Sequence, residues 1–241
     1  MHISYGFVPG GETFKCSTFE YLTQLDNYHN IVYINCQNND LKVLPTLPYS
    51  LQHLTWSICK LTLLPTLPKG LKYLDCSNND LKVLPTLPNS LKYLYCYCNK
   101  LHELPNLPNS LIFISCSYNK LHELPNLPDM LECLYCSNNN LILLPNLPNS
   151  LTYLDCSNNF LAFLPKLHGS IYYNDNPVRK YIKDICANKL DIYHRENNIF
   201  ATKLVRWYLN CRENPKFKFC RTRLNREYDA LMDDDVGGIM C

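Results

Sequence analysis

The chain has 241 residues, a formal charge of +2 and 14 cysteines. A charge this close to balance gives no general basis for binding nucleic acid or a membrane surface. No uninterrupted apolar run is long enough to span a bilayer, and Met1-His2-Ile3-Ser4 lacks the basic start and apolar core of a secretory leader.

Residues 1–30 do not share the pattern of the rest of the chain and are expected to form an N-terminal cap. Ile3–Val8 reads as a short strand and Pro9-Gly10-Gly11 as a turn. Ser17-Thr18-Phe19-Glu20 matches a capping box ahead of Phe19, Leu22 and Leu25, which predicts a helix from about Thr18 to Asp26. Its expected task is to cover the open end of the segment behind it, since a bare repeat end exposes apolar surface and an unpaired strand edge.

From residue 31 the chain repeats every 20 residues, with blocks starting at Ile31, Leu51, Leu71, Leu91, Leu111, Leu131 and Leu151 and a broken eighth near Ile171. A fixed period of this size marks a solenoid. In the block Leu71–Ser90 the inward positions are Leu71, Leu74, Cys76, Asn79, Leu81, Leu84 and Leu87. Tyr73-Leu74-Asp75-Cys76 alternates as a short strand must, so stacked blocks make one parallel sheet with strands about 4.8 Å apart. Leu84-Pro85-Thr86-Leu87-Pro88 rules out a helix on the return side, because each proline lacks an N–H and restricts the residue before it. That side is expected to be polyproline-II-like.

The column Asn39, Asn79, Asn99, Asn119, Asn139 and Asn159 is expected to be structural, its amides satisfying backbone groups at each strand-to-loop corner; Cys59 breaks it in the second block. Cys36, Cys76, Cys96, Cys116, Cys136 and Cys156 share one inward position, with Trp56 in their place in the second block. Inward thiols behave as small hydrophobes. A column of reduced thiols, and so a reducing, cytoplasmic compartment, is expected. The absence of any Asn-x-Ser/Thr acceptor agrees with this.

Residues 177–241 are expected to form a helical C-terminal cap. Pro177 can open a helix with Val178, Tyr181, Ile182, Ile185 and Cys186 on one face; Ile199–Cys211 and a stretch around Cys220–Met232 predict two more.

The L-x-x-L-x-C-x-x-N-x-L run resembles the leucine-rich repeat family, with Cys where a third Leu is usual, and the L-P-x-L-P half is similar to the short repeats of effectors secreted by pathogenic bacteria. The resemblance implies an α/β-type repeat solenoid: a horseshoe with a parallel concave β-sheet, closed by the helical cap. The segment from Ala201 to Tyr228, together with the Asn- and Lys-rich repeats, resembles leucine-rich repeat proteins of giant amoeba-infecting viruses of the mimivirus type. That implies interaction with a partner, in the host cytoplasm or the virion, rather than a defined reaction.

Repeat positions three, five and seven are expected to face outward from the sheet. They gather Tyr93, Tyr95 and Tyr97, flanked by Tyr73, Phe113, Tyr135 and Tyr153. Exposed aromatics in one patch are typical of binding hot spots, although aromatics also favour strands for pairing alone. The leading expectation is therefore a monomeric, non-catalytic module binding a protein partner on the concave face.

The alternative is an adaptor whose basic tail (Lys203, Arg206, Arg212, Lys216, Lys218, Arg221, Arg223 and Arg226) docks to nucleic acid, an anionic membrane or a calmodulin-like protein. Lys203–Arg212 resembles a calmodulin-binding IQ segment, but Val205 and Leu209 replace its Gln and Arg. His102-Glu103 and His122-Glu123 lack a third metal ligand, and Cys96-Tyr97-Cys98 places two thiols on one strand face without outside ligands. No phosphate loop, Ser/His/Asp spacing or zinc cluster is found, so neither cofactor nor metal is expected. The ubiquitin-ligase domain that accompanies this repeat type in bacterial effectors uses a Cys-x-Asp motif, whereas the nearest approach here is Cys211-Arg212-Glu213.

Overall fold

The computed structural model describes residues 3–8, 10–16, 18–39, 46–161, 164 and 169–176. The expected helices beyond residue 176 lie outside the described residues. Strands β1 (Ile3–Gly6) and β2 (Phe14–Cys16), helix α1 (Phe19–Thr23) and a 3-10 turn at Tyr28–Asn30 precede the repeats. The repeats supply strands β3 (Tyr33–Asn39), β4 (His53–Cys59), β5 (Tyr73–Asp75), β6 (Tyr93–Tyr95), β7 (Phe113–Ser115), β8 (Cys133–Tyr135), β9 (Tyr153–Asp155) and β10 (Ser170–Tyr172). All belong to one sheet, in the order β10-β9-β8-β7-β6-β5-β4-β3-β1-β2.

From β3 to β10 neighbouring strands are parallel and in register, so that Tyr73 stands on Tyr93 and Leu74 on Leu94. One repeat cannot bury its own apolar side, whereas the stack can. Leu71, Leu74, Cys76 and Leu81 are fully buried, as are their equivalents in the next repeats. Each buried leucine contributes about 2 kcal/mol of apolar transfer. The described return segments form neither helix nor strand. Each complete return ends in a turn closed by an amide-to-proline bond, such as the Leu71 amide to the Pro68 carbonyl at 3.1 Å.

Strands β5 to β9 end at the fifth repeat position, and a left-handed turn follows at the eighth. Asn78, Cys98, Tyr118, Asn138 and Asn158 all have φ between 52° and 56°. This left-handed conformation suits Asn best among residues bearing a side chain. The ninth position then ties the corner. Asn99 Oδ1 accepts from the Leu81 amide at 3.0 Å, while its Nδ2 donates to the carbonyls of Cys76, Cys96 and Tyr97 at 3.0, 3.2 and 3.3 Å. Asn79, Asn119, Asn139 and Asn159 repeat the arrangement; the Asn39 side chain lies outside the described residues.

A second column stands at the twentieth repeat position, where the spacing shows a serine but not its bonds. Ser90 Oγ donates to the carbonyls of Lys69 and Leu71 at 2.7 and 2.6 Å, stitching one return turn to the one before; Ser50 and Ser150 make the same pair of bonds and Ser110 donates to the Leu91 carbonyl.

Several expectations are corrected. The N-terminal helix spans only Phe19–Thr23 and is capped by Thr18, whose Oγ1 accepts from the Tyr21 amide at 3.2 Å. Only Phe19 and Leu22 of this helix are buried, so no apolar stripe carries it on to Asp26. Strand addition contributes to the end as well: β1 pairs antiparallel with β3 and with β2, a strand that the sequence does not signal. Phe19 meets Trp56 with ring centroids 5.2 Å apart, so the bulky residue in the thiol column contacts the cap.

The eighth repeat begins early. Ser170 pairs with Tyr153 and Tyr172 with Asp155, a step three residues shorter than the others. Gly169 permits this approach, because a Cβ there would lie 2.2 Å from the Thr152 carbonyl oxygen. Asn176 then takes the corner role, accepting from the Leu161 amide at 2.9 Å.

Candidate functional site: an aromatic run across the sheet

The side chains at repeat positions three and five line the sheet face away from the leucine core. In-register stacking alone would pile residues of one position in straight columns. The fifth column instead alternates as Asp75, Tyr95, Ser115, Tyr135 and Asp155. The large rings have small or charged straight neighbours, so they lean diagonally towards the third column. The small Cys133 leaves room there for Tyr135 to sit between Phe113 and Tyr153.

A continuous zigzag results. Ring centroids are 5.3 Å apart for Tyr73–Tyr95, 4.7 Å for Tyr95–Phe113, 5.5 Å for Phe113–Tyr135 and 4.7 Å for Tyr135–Tyr153. These separations fall in the range of favourable aromatic pairs. The run is longer than expected at both ends. His53 stacks on Tyr73 at 5.7 Å with an interplanar angle of 21°, and Tyr172 meets Tyr153 at 5.3 Å. His53 was legible as a third-position residue, but Tyr172 was hidden by the shortened last step.

The expected centre of the patch is displaced. Tyr93 is 38% exposed and approaches Tyr73 at 6.2 Å, beside the run rather than within it. Tyr97 is half-buried and stands outside the described ring run. The seventh position shares the side of the fifth, since Ser77 Oγ and Ser157 Oγ bond Asp75 and Asp155, but it is not an exposed row: Ser57, Ser77, Ser117 and Ser137 are buried. Cys96 and Cys98 do not share a strand face, since Cys96 is fully buried and Cys98 sits in the left-handed turn at φ 52°.

The face carries negative charge among its rings. Asp75 Oδ1 accepts from the Ser77 amide at 3.0 Å and from Ser77 Oγ at 2.6 Å, and Asp155 holds Ser157 at 3.1 and 2.6 Å. Burial, and then the nearby Asp75 carboxylate, push the Tyr73 hydroxyl up to about 12 and raise that of Tyr95. Burial and then Lys72 lower the His53 imidazole, which favours its neutral form.

Cys76, Cys96, Cys116, Cys136 and Cys156 of the inward column are buried free thiols. Burial raises Cys116 and Cys156 to about 12, and Cys96 and Cys136 also lie well above the ordinary thiol value. A thiol held protonated is a poor nucleophile and metal ligand. Among the described residues no group of three or more His, Cys, Asp or Glu side chains is placed to hold a metal ion. His102 and Glu103 are exposed. The basic tail residues and Cys211 lie outside the described residues.

Three solved structures of similar fold share these repeats. YopM from Yersinia enterocolitica is 40% identical with a TM-score of 0.57, covering 57% of this chain and 32% of that one. YopM from Yersinia pestis, a leucine-rich effector protein, is 42% identical with a TM-score of 0.53, covering 57% and 41%. The leucine-rich repeat domain of a Shigella effector is 38% identical with a TM-score of 0.51, covering 52% and 59%. The chain thus spans about a third to three fifths of the length of these neighbours. No family model and no curated protein matches it. With its parallel sheet and 20-residue period, the chain shares the solenoid fold of these leucine-rich repeat effectors.

Proposed function

We propose that the chain is a non-catalytic protein-interaction module and that its partner binds across the aromatic run from His53 to Tyr172. The observation that carries this reading is the run itself, a set of rings in contact on the solvent side of a rigid sheet. Tyrosine offers large contact area at low entropic cost, and a stack of short strands positions it without a mobile loop. The effector neighbours support an interaction role.

In this reading residues 1–30 and 177–241 serve as caps and the module acts as a monomer. A host protein is the partner, met in the cytoplasm during infection by a giant virus. Support for that setting is the tail's resemblance to such viral proteins and the buried free thiols of Cys76, Cys96, Cys116, Cys136 and Cys156.

The test is affinity capture from amoebal lysate by the full chain and by a variant carrying Tyr73→Ser, Tyr95→Ser and Tyr135→Ser. Loss of a specific partner from the variant, with its melting transition retained, supports the reading. Undiminished capture overturns it.

A further inference from the structure

The aromatic face has a charge pattern that narrows its partner. At repeat positions three and five of β5 to β9, the only residues with formal charge at neutral pH are Asp75 and Asp155. Both are negative, and they stand at opposite ends of the central rings. Successive centroids are 4.7–5.5 Å apart. A cation resting on the solvent side of two neighbouring rings therefore lies within the roughly 6 Å over which a ring attracts it. Tyr73 is bracketed by Asp75 and Tyr95, and Tyr153 by Asp155 and Tyr135. The hydroxyls of Tyr73 and Tyr153 are held up to about 12, by burial first, with Asp75 adding at Tyr73 and Tyr135 and then Asp155 adding at Tyr153. They stay neutral at physiological pH and leave the carboxylates as the charged groups among the rings.

We infer that the occupant of this face is an extended protein segment bearing two cationic side chains, preferably arginines, six residues apart, one at each carboxylate. The inference rests on the interaction reading above. The spacing follows from geometry. Asp75 and Asp155 are separated by four strand intervals, about 19 Å at ~4.8 Å per strand, and an extended segment rises about 3.3 Å per residue. Six residues bridge that distance, and an even number keeps both side chains on one side of the segment. Arginine fits better than lysine because its planar guanidinium both stacks on rings and pairs with a carboxylate. Asp75 and Asp155 each use Oδ1 for the serine two residues on, which fixes the carboxylate for such pairing.

The test uses the full chain and fluorescein-labelled nine-residue peptides of Gly and Ser, read by fluorescence anisotropy at low salt. One peptide carries arginines at its second and eighth positions, one at its second and third, and one carries glutamates at its second and eighth. The first peptide is expected to bind at least five-fold more tightly than either control. The double variant Asp75→Asn, Asp155→Asn, which keeps an oxygen to accept from Ser77 and Ser157, is expected to erase that preference. Equal binding of the two arginine peptides, tighter binding of the glutamate peptide, or no measurable binding overturns the inference. If a protein partner is nevertheless lost on the tyrosine substitutions, the interaction reading stands and only the charge assignment fails.

Discussion

Asn79 fastens its repeat to the one before through Leu61: its Oδ1 accepts the Leu61 amide at 3.0 Å while its Nδ2 donates to the Trp56 carbonyl at 2.8 Å. One side chain thus satisfies buried backbone groups on two turns of the solenoid. A backbone group left unpaired in the interior costs about 1–3 kcal/mol. Asn99, in the middle of the stack, makes the same set of bonds. Asn99→Ala is expected to destabilise the chain by about 3 kcal/mol, read as a lower urea midpoint.

Ile58 has the opposite character. It occupies the left-handed turn position at φ 55°, where a β-branched side chain is strained. It is also 53% exposed, so its side chain has little burial to lose. Ile58→Asn is expected to stabilise the protein by about 1 kcal/mol, within the 1–3 kcal/mol typical of such strain. The reverse change one repeat on, Asn78→Ile, is expected to lower the urea midpoint.

The thiol column makes stability depend on alkaline pH. Cys116 and Cys156 ionise at about 12 in the folded chain against an ordinary 9.0. Above pH 9 the unfolded chain releases protons that the folded chain keeps, so unfolding becomes easier as pH rises. Their contribution is full below pH 9 and is lost between pH 9 and about 12. The urea midpoint is expected to fall between pH 8 and 9.5, below the ordinary tyrosine value of 10.0. The fall should be smaller in a Cys116→Ala, Cys156→Ala variant measured the same way.

Gly169 is required by close approach rather than by its backbone angle. A Cβ there would press against the Thr152 carbonyl. Gly169→Ala is expected to detach β10. Hydrogen exchange should then show faster exchange at the Ser170 amide, which bonds the Thr152 carbonyl at 2.9 Å.

Much of this architecture is legible in the sequence, for a physical reason. Every repeat poses the same packing problem, so Leu74, Cys76 and Asn79 can be assigned from their spacing alone. What escaped the spacing are relations that break or cross the repeat. Tyr172 joins the aromatic run only because the last step is short, and no 20-residue ruler would place it there. The diagonal lean of Tyr95 and Tyr135 depends on the small residues at Ser115 and Cys133, a property of neighbouring strands rather than of either strand by itself. The β1–β2 hairpin was half visible, since the Pro9-Gly10-Gly11 signal marks a turn but does not say which strand the hairpin will join.

Hydroxyl-radical footprinting of the full chain, alone and bound to a partner purified by capture, asks whether the ring face from His53 to Tyr172 is the binding surface. Oxidation of Tyr95, Phe113, Tyr135, Tyr153 and Tyr172 is expected to fall together on binding, while Tyr49 and Tyr118, exposed away from the run, are unchanged. Protection confined to other surfaces, with these rings oxidised as fast in the complex as in the free chain, would contradict a binding role for that face.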